Sequence, residues 1–456
     1  MDRTRAATTK LADFAAGLKL ESVPDSAVEK VKQLFLDSIG CALSADFSDE
    51  IPSYTDFART LGGPGDTLVL GSGERLSLLG ATLLGGYRVT AMSACDVYLA
   101  KQLQVTPAIV PPALGIAQGD GNSGACLLEA LVLGSEVSVR LADAMGHRAA
   151  DTMDWHLPGV VGPYGAAATV GHLRKFDTDR FSNAFGLAGS QSAGTWASLG
   201  TPALKFHQSR GAASGLIAAL LAEQGFQASA DIIGEPDGGL LATYAQGGDI
   251  ESGFDGLGDR WRLEQISTRL WPAGTSIQPL LTALMELQSD ERLEWDRIDH
   301  VQISVAPSVY RSTGYFGHPK GSFEATHSFQ FIAAAMLRDG QYSFESVVPD
   351  NYAAPEVTSF MGEKVELEPD ESVTADASRV KVTLKSREVL TSQVSSALGT
   401  PGNPTSRSDV EDKFLRCAEG RLDDNAAADL VDFVSRLEEI EDLSPFYRLL
   451  ASAPMR

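Results

Sequence analysis

The sequence predicts a mainly α protein with an α+β second domain, and three observations carry that expectation. Up to Gly258 the apolar residues recur at helical spacing in an Ala-, Leu- and Gly-rich background with few β-branched runs. Beyond it, Asp299-His300-Val301-Gln302-Ile303-Ser304-Val305 and Ser378-Arg379-Val380-Lys381-Val382-Thr383-Leu384 alternate as strands do. Helical texture returns near Ser408, so a large helical domain built from both chain ends, 1–262 and 405–456, is expected to be interrupted by a smaller α+β domain over 263–404. A chain of 456 residues also exceeds one ordinary domain of roughly 100–200 residues.

Taken in order, Leu11, Phe14 and Leu18, then Val28, Val31, Phe35, Leu36 and Ile39, mark two helices separated by a turn and N-cap at Pro24-Asp25. Leu61-Gly62-Gly63-Pro64-Gly65-Asp66 lacks the Lys-Ser/Thr of a phosphate loop and reads as a surface turn, followed by a short strand at Thr67-Leu68-Val69-Leu70. Close-packed helices are expected over 76–94, 111–117, 124–145, 163–174, 178–193 and 209–224, with 215–222 nearly all apolar and read as buried. A helix over 328–337 lies between the two strands. Gly399-Thr400-Pro401-Gly402-Asn403-Pro404 reads as the linker back to the first domain. A cleft between two such domains is the ordinary place for a small ligand.

Charge narrows the function classes. A formal net charge of -23 argues against nucleic acid and anionic membranes as partners, because both require a basic surface. An anionic substrate would need a local cluster of Lys, Arg and His to overcome that field. No apolar run approaches the ~20 residues of a membrane span, and the N-terminus has no signal-peptide block, so a cytoplasmic location is expected. The four cysteines (Cys41, Cys95, Cys126, Cys417) form no CxxC pair and signal neither a disulfide framework nor a metal site.

The common catalytic motifs are absent: there is no Gly-x-Ser-x-Gly, no GxGxxG after a strand and no HExxH. What remains is polar residues at Gly/Pro-marked turns. They are Asp96, His156 beside Trp155, Lys205-Phe206-His207-Gln208-Ser209-Arg210, Arg269 before Trp271-Pro272, and Tyr315 before His318-Pro319. Composition alone would make most of them solvated loop residues, and a lone His156 reads first as a satisfied histidine followed by a tightly packed helix start.

Several ungapped stretches in order resemble the MmgE/PrpD family, which includes 2-methylcitrate dehydratase, cis-aconitate decarboxylase and iminodisuccinate epimerase. They are Leu11-Ala12-Asp13-Phe14 with 34–40, 156–168, Phe185-Gly186-Leu187-Ala188-Gly189-Ser190-Gln191, 215–226, Glu324-Ala325-Thr326-His327-Ser328-Phe329-Gln330, Leu337-Arg338-Asp339-Gly340 and Gly402-Asn403-Pro404. The His-Ser-Phe-Gln wording is closest to the decarboxylase branch. The resemblance implies a helical domain with an α+β lid, a homodimer, no metal or organic cofactor, and an interdomain site for small di- and tricarboxylates.

Residue by residue, the resemblance puts Asp96, His156 and Tyr315 on the family's aspartate, histidine and tyrosine. Thr106 stands where the family has histidine, Ala100 where it has threonine, and Gln278 at a second histidine position, while Arg269 replaces a lysine. Anchored on Gly215, Leu204 falls on the family lysine; anchored on Ala212-Ala213, Lys205 does. Thr and Gln hydrogen-bond but do not exchange protons near pH 7. The expectation is therefore a cofactor-independent lyase or isomerase acting on a small organic acid that is neither cis-aconitate nor 2-methylcitrate. His156, Asp96, Tyr315 and Lys205 would be catalytic, with Arg269, His207, Arg210, Thr106 and Gln278 binding substrate. The alternative is a non-catalytic relative kept for ligand binding or a partner.

Overall fold

Helical spacing in the first half of the chain becomes nine packed helices in the computed structural model, which describes residues 6–146 and 154–452. They are α1 (Ala7–Gly17), α2 (Asp25–Leu43), α3 (Ile51–Gly62), α4 (Leu78–Thr90), α5 (Thr106–Asp120), α6 (Gly124–Ala144), α7 (Leu157–Leu173), α8 (Thr178–Gly189) and α9 (Ala203–Glu223). The side chains of Ser77, Ser123 and Asp177 accept from first-turn N–H groups of α4, α6 and α8, satisfying donors that a helix start leaves unpaired. Between α3 and α4 the Gly-rich stretch is an exposed turn, and β1 (Thr67–Leu68) pairs antiparallel with β2 (Arg75–Leu76).

Helix α7 is the centre of this layer, packed against α5, α6, α8 and α9. Small residues make that possible. A Cβ on Gly134 would stand 2.0 Å from Thr169 Oγ1, and one on Gly165 would stand 2.1 Å from Ser138 Oγ, so α6 and α7 cross at backbone contact.

Three helices begin earlier than their sequence suggests. Helix α5 starts at Thr106 and runs through Pro111 and Pro112; the Pro111 ring fits against Gly85 of α4, where packing compensates the missing N–H groups. Helix α7 starts directly after His156, with proline in its first turn where no bond is lost. Helix α9 starts at Ala203 because the polar run 205–210 faces a cleft and buried partners rather than solvent. The apolar stretch 215–222 is not wholly buried: Ile217 and Leu221, one turn apart, are exposed.

The α+β part holds a four-stranded sheet in the order β4-β3-β5-β6, from β3 (Ile298–Val305), β4 (Val365–Pro369), β5 (Ser378–Leu384) and β6 (Val389–Val394). Strands β3 and β4 run parallel; the other pairs are antiparallel. Helix Gln278–Leu287 packs on β5 and β6, and helix Phe329–Asp339 on β4 and on the first helix. The sequence reading found β3 and β5 and missed both edge strands. β4 is a five-residue strand ending in Pro369, and β6 shows its alternation only as half-burial against a helix.

The chain then returns to the helical layer. Helix Arg407–Ala418 lies on α2, where Lys413 Nζ ion-pairs with Asp37, with both side chains essentially unexposed. The same ammonium donates to the carbonyls of Ala94 and Arg269, each at 2.8 Å. The 399–404 stretch is a turn closed by Gly399 N–H to Asn403 O, and Thr268 N–H donates to Gly399 O. Among the described residues no helix is long and apolar enough to cross a membrane, and the four cysteines are free.

Candidate active site

A cleft of about 860 Å³ opens between the helical layer and the α+β part, lined from one side by His156, Lys205 and Gln208 and from the other by Arg269, Gln278, Arg311 and His327. Two non-glycine residues on its wall, Ser93 and Gln102, sit at φ 56° and 52°, in the left-handed region where backbone strain gathers at functional sites.

His156 is the N-cap residue of α7, held by its own N–H to Gly194 O at 2.9 Å. Its ring is buried, and its Nδ1 lies 3.3 Å from His207 Nδ1. One of these nitrogens must carry the proton and the other accept it, so the two Nε2 atoms have opposite roles, one an acceptor and one a donor. Burial, reinforced by His207, holds the His156 imidazole down at about 3, which keeps it uncharged at neutral pH. His207 is also lowered, by burial and then by Arg210.

Lys205, in the first turn of α9, donates from Nζ to Ala91 O and lies 4.9 Å from the centre of the Phe323 ring. Burial brings its ammonium down to about 8. Arg269 comes from the strand-like segment that pairs at Ser267 with Val97. Its Nε donates to Cys95 O at 2.5 Å, and among the described residues no carboxylate pairs with it. Lys205 and Arg269 thus form the local positive field that an anion would require in a chain of net charge -23.

His327 belongs to a stretch that carries the family resemblance but has no role from its sequence alone, yet it lines this cleft. Its Nδ1 is 2.7 Å from Phe323 O, so Nδ1 carries the proton and Nε2 is left as an acceptor. Burial, with Lys205 adding to it, lowers this imidazole to about 3. The sequence signal available was a histidine directly before an N-cap serine, which is weak without knowing what faces it. Thr268, buried on the cleft wall, gave no sequence signal, and Gln208, also buried there, stands in the polar run 205–210 without a role assigned to it, because an uncharged residue carries no motif.

Five expected site residues, Asp96, Thr106, Arg210, Tyr315 and His207, lie off the wall. Asp96 is fully buried and accepts from Val105 N–H at 2.8 Å, Thr106 N–H at 3.0 Å and the Thr106 hydroxyl, so the pair anchors the 95–106 loop and the start of α5. Burial raises the Asp96 carboxyl. Arg210 does not face a ligand: its guanidinium donates to the carbonyls of Gln191 (2.8 Å), Gly159 (2.9 Å) and Ala193 (2.8 Å), which fixes the loop before α9. Tyr315 is 59% exposed and lies tilted against the Phe316 ring, its hydroxyl resting near Gly200. His207 stands behind His156 rather than on the wall.

Comparison with known proteins follows the same division. Residues 9–252 match the MmgE/PrpD N-terminal domain and 271–439 the MmgE/PrpD C-terminal domain. The chain belongs to the MmgE/PrpD family. Curated relatives include the cis-aconitate decarboxylases of Aspergillus terreus, 25% identical over 97% of this chain and 95% of that protein, and of Homo sapiens, 26% identical over 97% and 94%. The cis-aconitate decarboxylase of Mus musculus is 25% identical over 98% of this chain and 93% of its own length. Within this MmgE/PrpD chain, Lys205 brings an ammonium to the cleft in either register of the α9 segment. Among the described residues, no group of three His, Cys, Asp or Glu side chains is arranged to hold a metal ion.

Proposed function

We propose that the protein is a cofactor-independent lyase or isomerase acting at a carbon next to a carboxylate or carbonyl of a small organic acid. Family membership and decarboxylase relatives along almost the whole chain support an enzyme of the lyase class. The observation that carries the reading is the meeting of two uncharged imidazoles, His156 and His327, with two cations, Lys205 and Arg269, on one cleft.

The chemistry follows from those groups. A substrate carboxylate pairs with Arg269, whose planar fork suits a bidentate hold. The C–H bond beside it breaks, the proton passes to an imidazole nitrogen, and the electron pair moves into the carboxylate as enediolate-like charge, which Lys205 and Arg269 stabilise. Return of a proton to the opposite face gives an epimer, and departure of a group from the neighbouring carbon gives an alkene. In a decarboxylation no C–H bond breaks: the C–C bond to the carboxylate breaks, CO₂ leaves, the electron pair stays on the carbon, and that carbon takes a proton from the Lys205 ammonium.

The substrate we propose is not cis-aconitate. Neither Thr106 nor Gln278 exchanges a proton at pH 7, and the Thr106 hydroxyl is engaged by Asp96. Wild type is expected to decarboxylate cis-aconitate negligibly; rates near those of an authentic decarboxylase contradict this. The same two residues favour a second reading, a relative that binds a ligand without turnover. Incubation with a pool of small metabolites, followed by NMR, separates the two. Turnover lost in His156→Ala supports catalysis, whereas binding without turnover supports the second reading.

A further inference from the structure

The cleft holds more hydrogen-bonding capacity than the acid–base scheme uses, and the surplus is neutral. Gln278 is 4% exposed, and its Nε2 donates to two main-chain carbonyls, Trp271 O at 3.1 Å and Ala273 O at 2.9 Å. Those two acceptors fix which end of the amide is nitrogen. The opposite end, Oε1, is buried and has no partner among the described residues, although the side chain lines the cleft. Gln208 Oε1 and Thr268 Oγ1 share that condition: both are buried, both line the cleft, and neither has a partner.

A buried acceptor left unpaired is destabilising, so such atoms point to what a ligand supplies. An amide oxygen accepts and cannot donate. A carboxylate facing Gln278 Oε1 would set two acceptors against each other, and Arg269 and Lys205 lie elsewhere on the wall as its natural partners. We propose that the substrate presents one carboxylate to Arg269 and, as a second polar group, a neutral hydrogen-bond donor to Gln278 Oε1, namely a hydroxyl or a carboxamide N–H. The substrate class is a hydroxy acid or the half-amide of a diacid, not a di- or tricarboxylate. This rests on the proposed function for its anion clamp, and it makes Gln278 the residue that sets specificity.

The test uses matched acids that differ in one group: succinate against succinamate, and glutarate against glutaramate. Binding to the intact protein is measured by calorimetry. A merely cationic cleft favours the dicarboxylates, which carry the extra charge. The proposal expects each half-amide to bind about 10-fold or more tighter than its diacid, since a site built around a hydrogen bond discriminates steeply against a partner that cannot make it. Gln278→Met is expected to erase that preference. Because Met also loses the two carbonyl bonds, Gln278→His serves as the second variant, and its N–H donor is expected to turn the preference toward the diacids. Equal or tighter binding of the diacids by wild type, no binding of either half-amide, or an unchanged preference in both variants overturns the assignment. Arg269→Gln separates the two readings. If it weakens all four probes while no amide preference exists, the clamp stands and the Gln278 assignment falls. If it changes nothing while a Gln278-dependent amide preference persists, the assignment stands and the clamp falls.

Discussion

At His156 burial, with His207 adding to it, sets the charge state of the imidazole. Its imidazole is held at about 3, well below the ordinary value of 6.5, so at neutral pH it is an uncharged base. A carboxylate bound to Arg269 would raise it toward the working range by adding negative charge nearby. The depressed value has a stability consequence with a definite sign. Between about pH 6.5 and 3 the unfolded chain binds a proton at this position that the folded chain does not, so folding stability from this group is lost as pH falls. At pH 5 the penalty amounts to about 2 kcal/mol. Urea unfolding should therefore show His156→Gln losing less stability than wild type between pH 8 and pH 5. Lys205 gives the alkaline counterpart: kcat/KM should fall as pH rises through about 8, where its ammonium loses charge, and Lys205→Arg should move that limb upward. His327→Asn is expected to reduce kcat by about 10²–10⁴-fold if its Nε2 takes the proton.

At the scale of elements, the close crossing of α6 and α7 sets where His156 stands, because α7 begins directly after it. Gly165→Ala would drive a methyl to 2.1 Å from Ser138 Oγ and 3.0 Å from Gly134 O, so it should cost about 1–3 kcal/mol in chemical denaturation. The helices were largely legible from apolar spacing, while their starts were not. The polar run 205–210 looked like a loop because a helix that turns polar side chains toward a cleft has the composition of one. Arg210 and Thr106 looked like ligand contacts for a related reason: sequence shows a donor but not the carbonyl or carboxylate that already occupies it. Arg210 spends its guanidinium on three carbonyls, and Thr106 on Asp96. His327 and Thr268 were missed, and Gln208 was given no role, because the cleft is made by chain segments far apart in sequence, and nothing local marks the face that an uncharged residue presents to it.

Across the whole molecule, the buried Lys413–Asp37 pair joins the last part of the chain to α2 and, through the carbonyl of Arg269, to the cleft. Lys413→Met would leave Asp37 buried without its partner and should cost about 3–5 kcal/mol, whereas Asp37→Leu with Lys413→Met should recover most of that loss. Equal destabilisation in the single and double variants would contradict this account. The cleft forms where the returning chain, the α+β sheet and the helical layer meet, and each wall brings a cation and an uncharged imidazole to it, Lys205 with His156 on one side and Arg269 with His327 on the other. The most direct test is deuterium incorporation from D₂O into a pool of small organic acids, followed by NMR. The account predicts exchange or product formation at a carbon beside a carboxylate, lost in His156→Ala and reduced in His327→Asn. Chemistry that proceeds unchanged in both variants, or no chemistry on any acid, would contradict it.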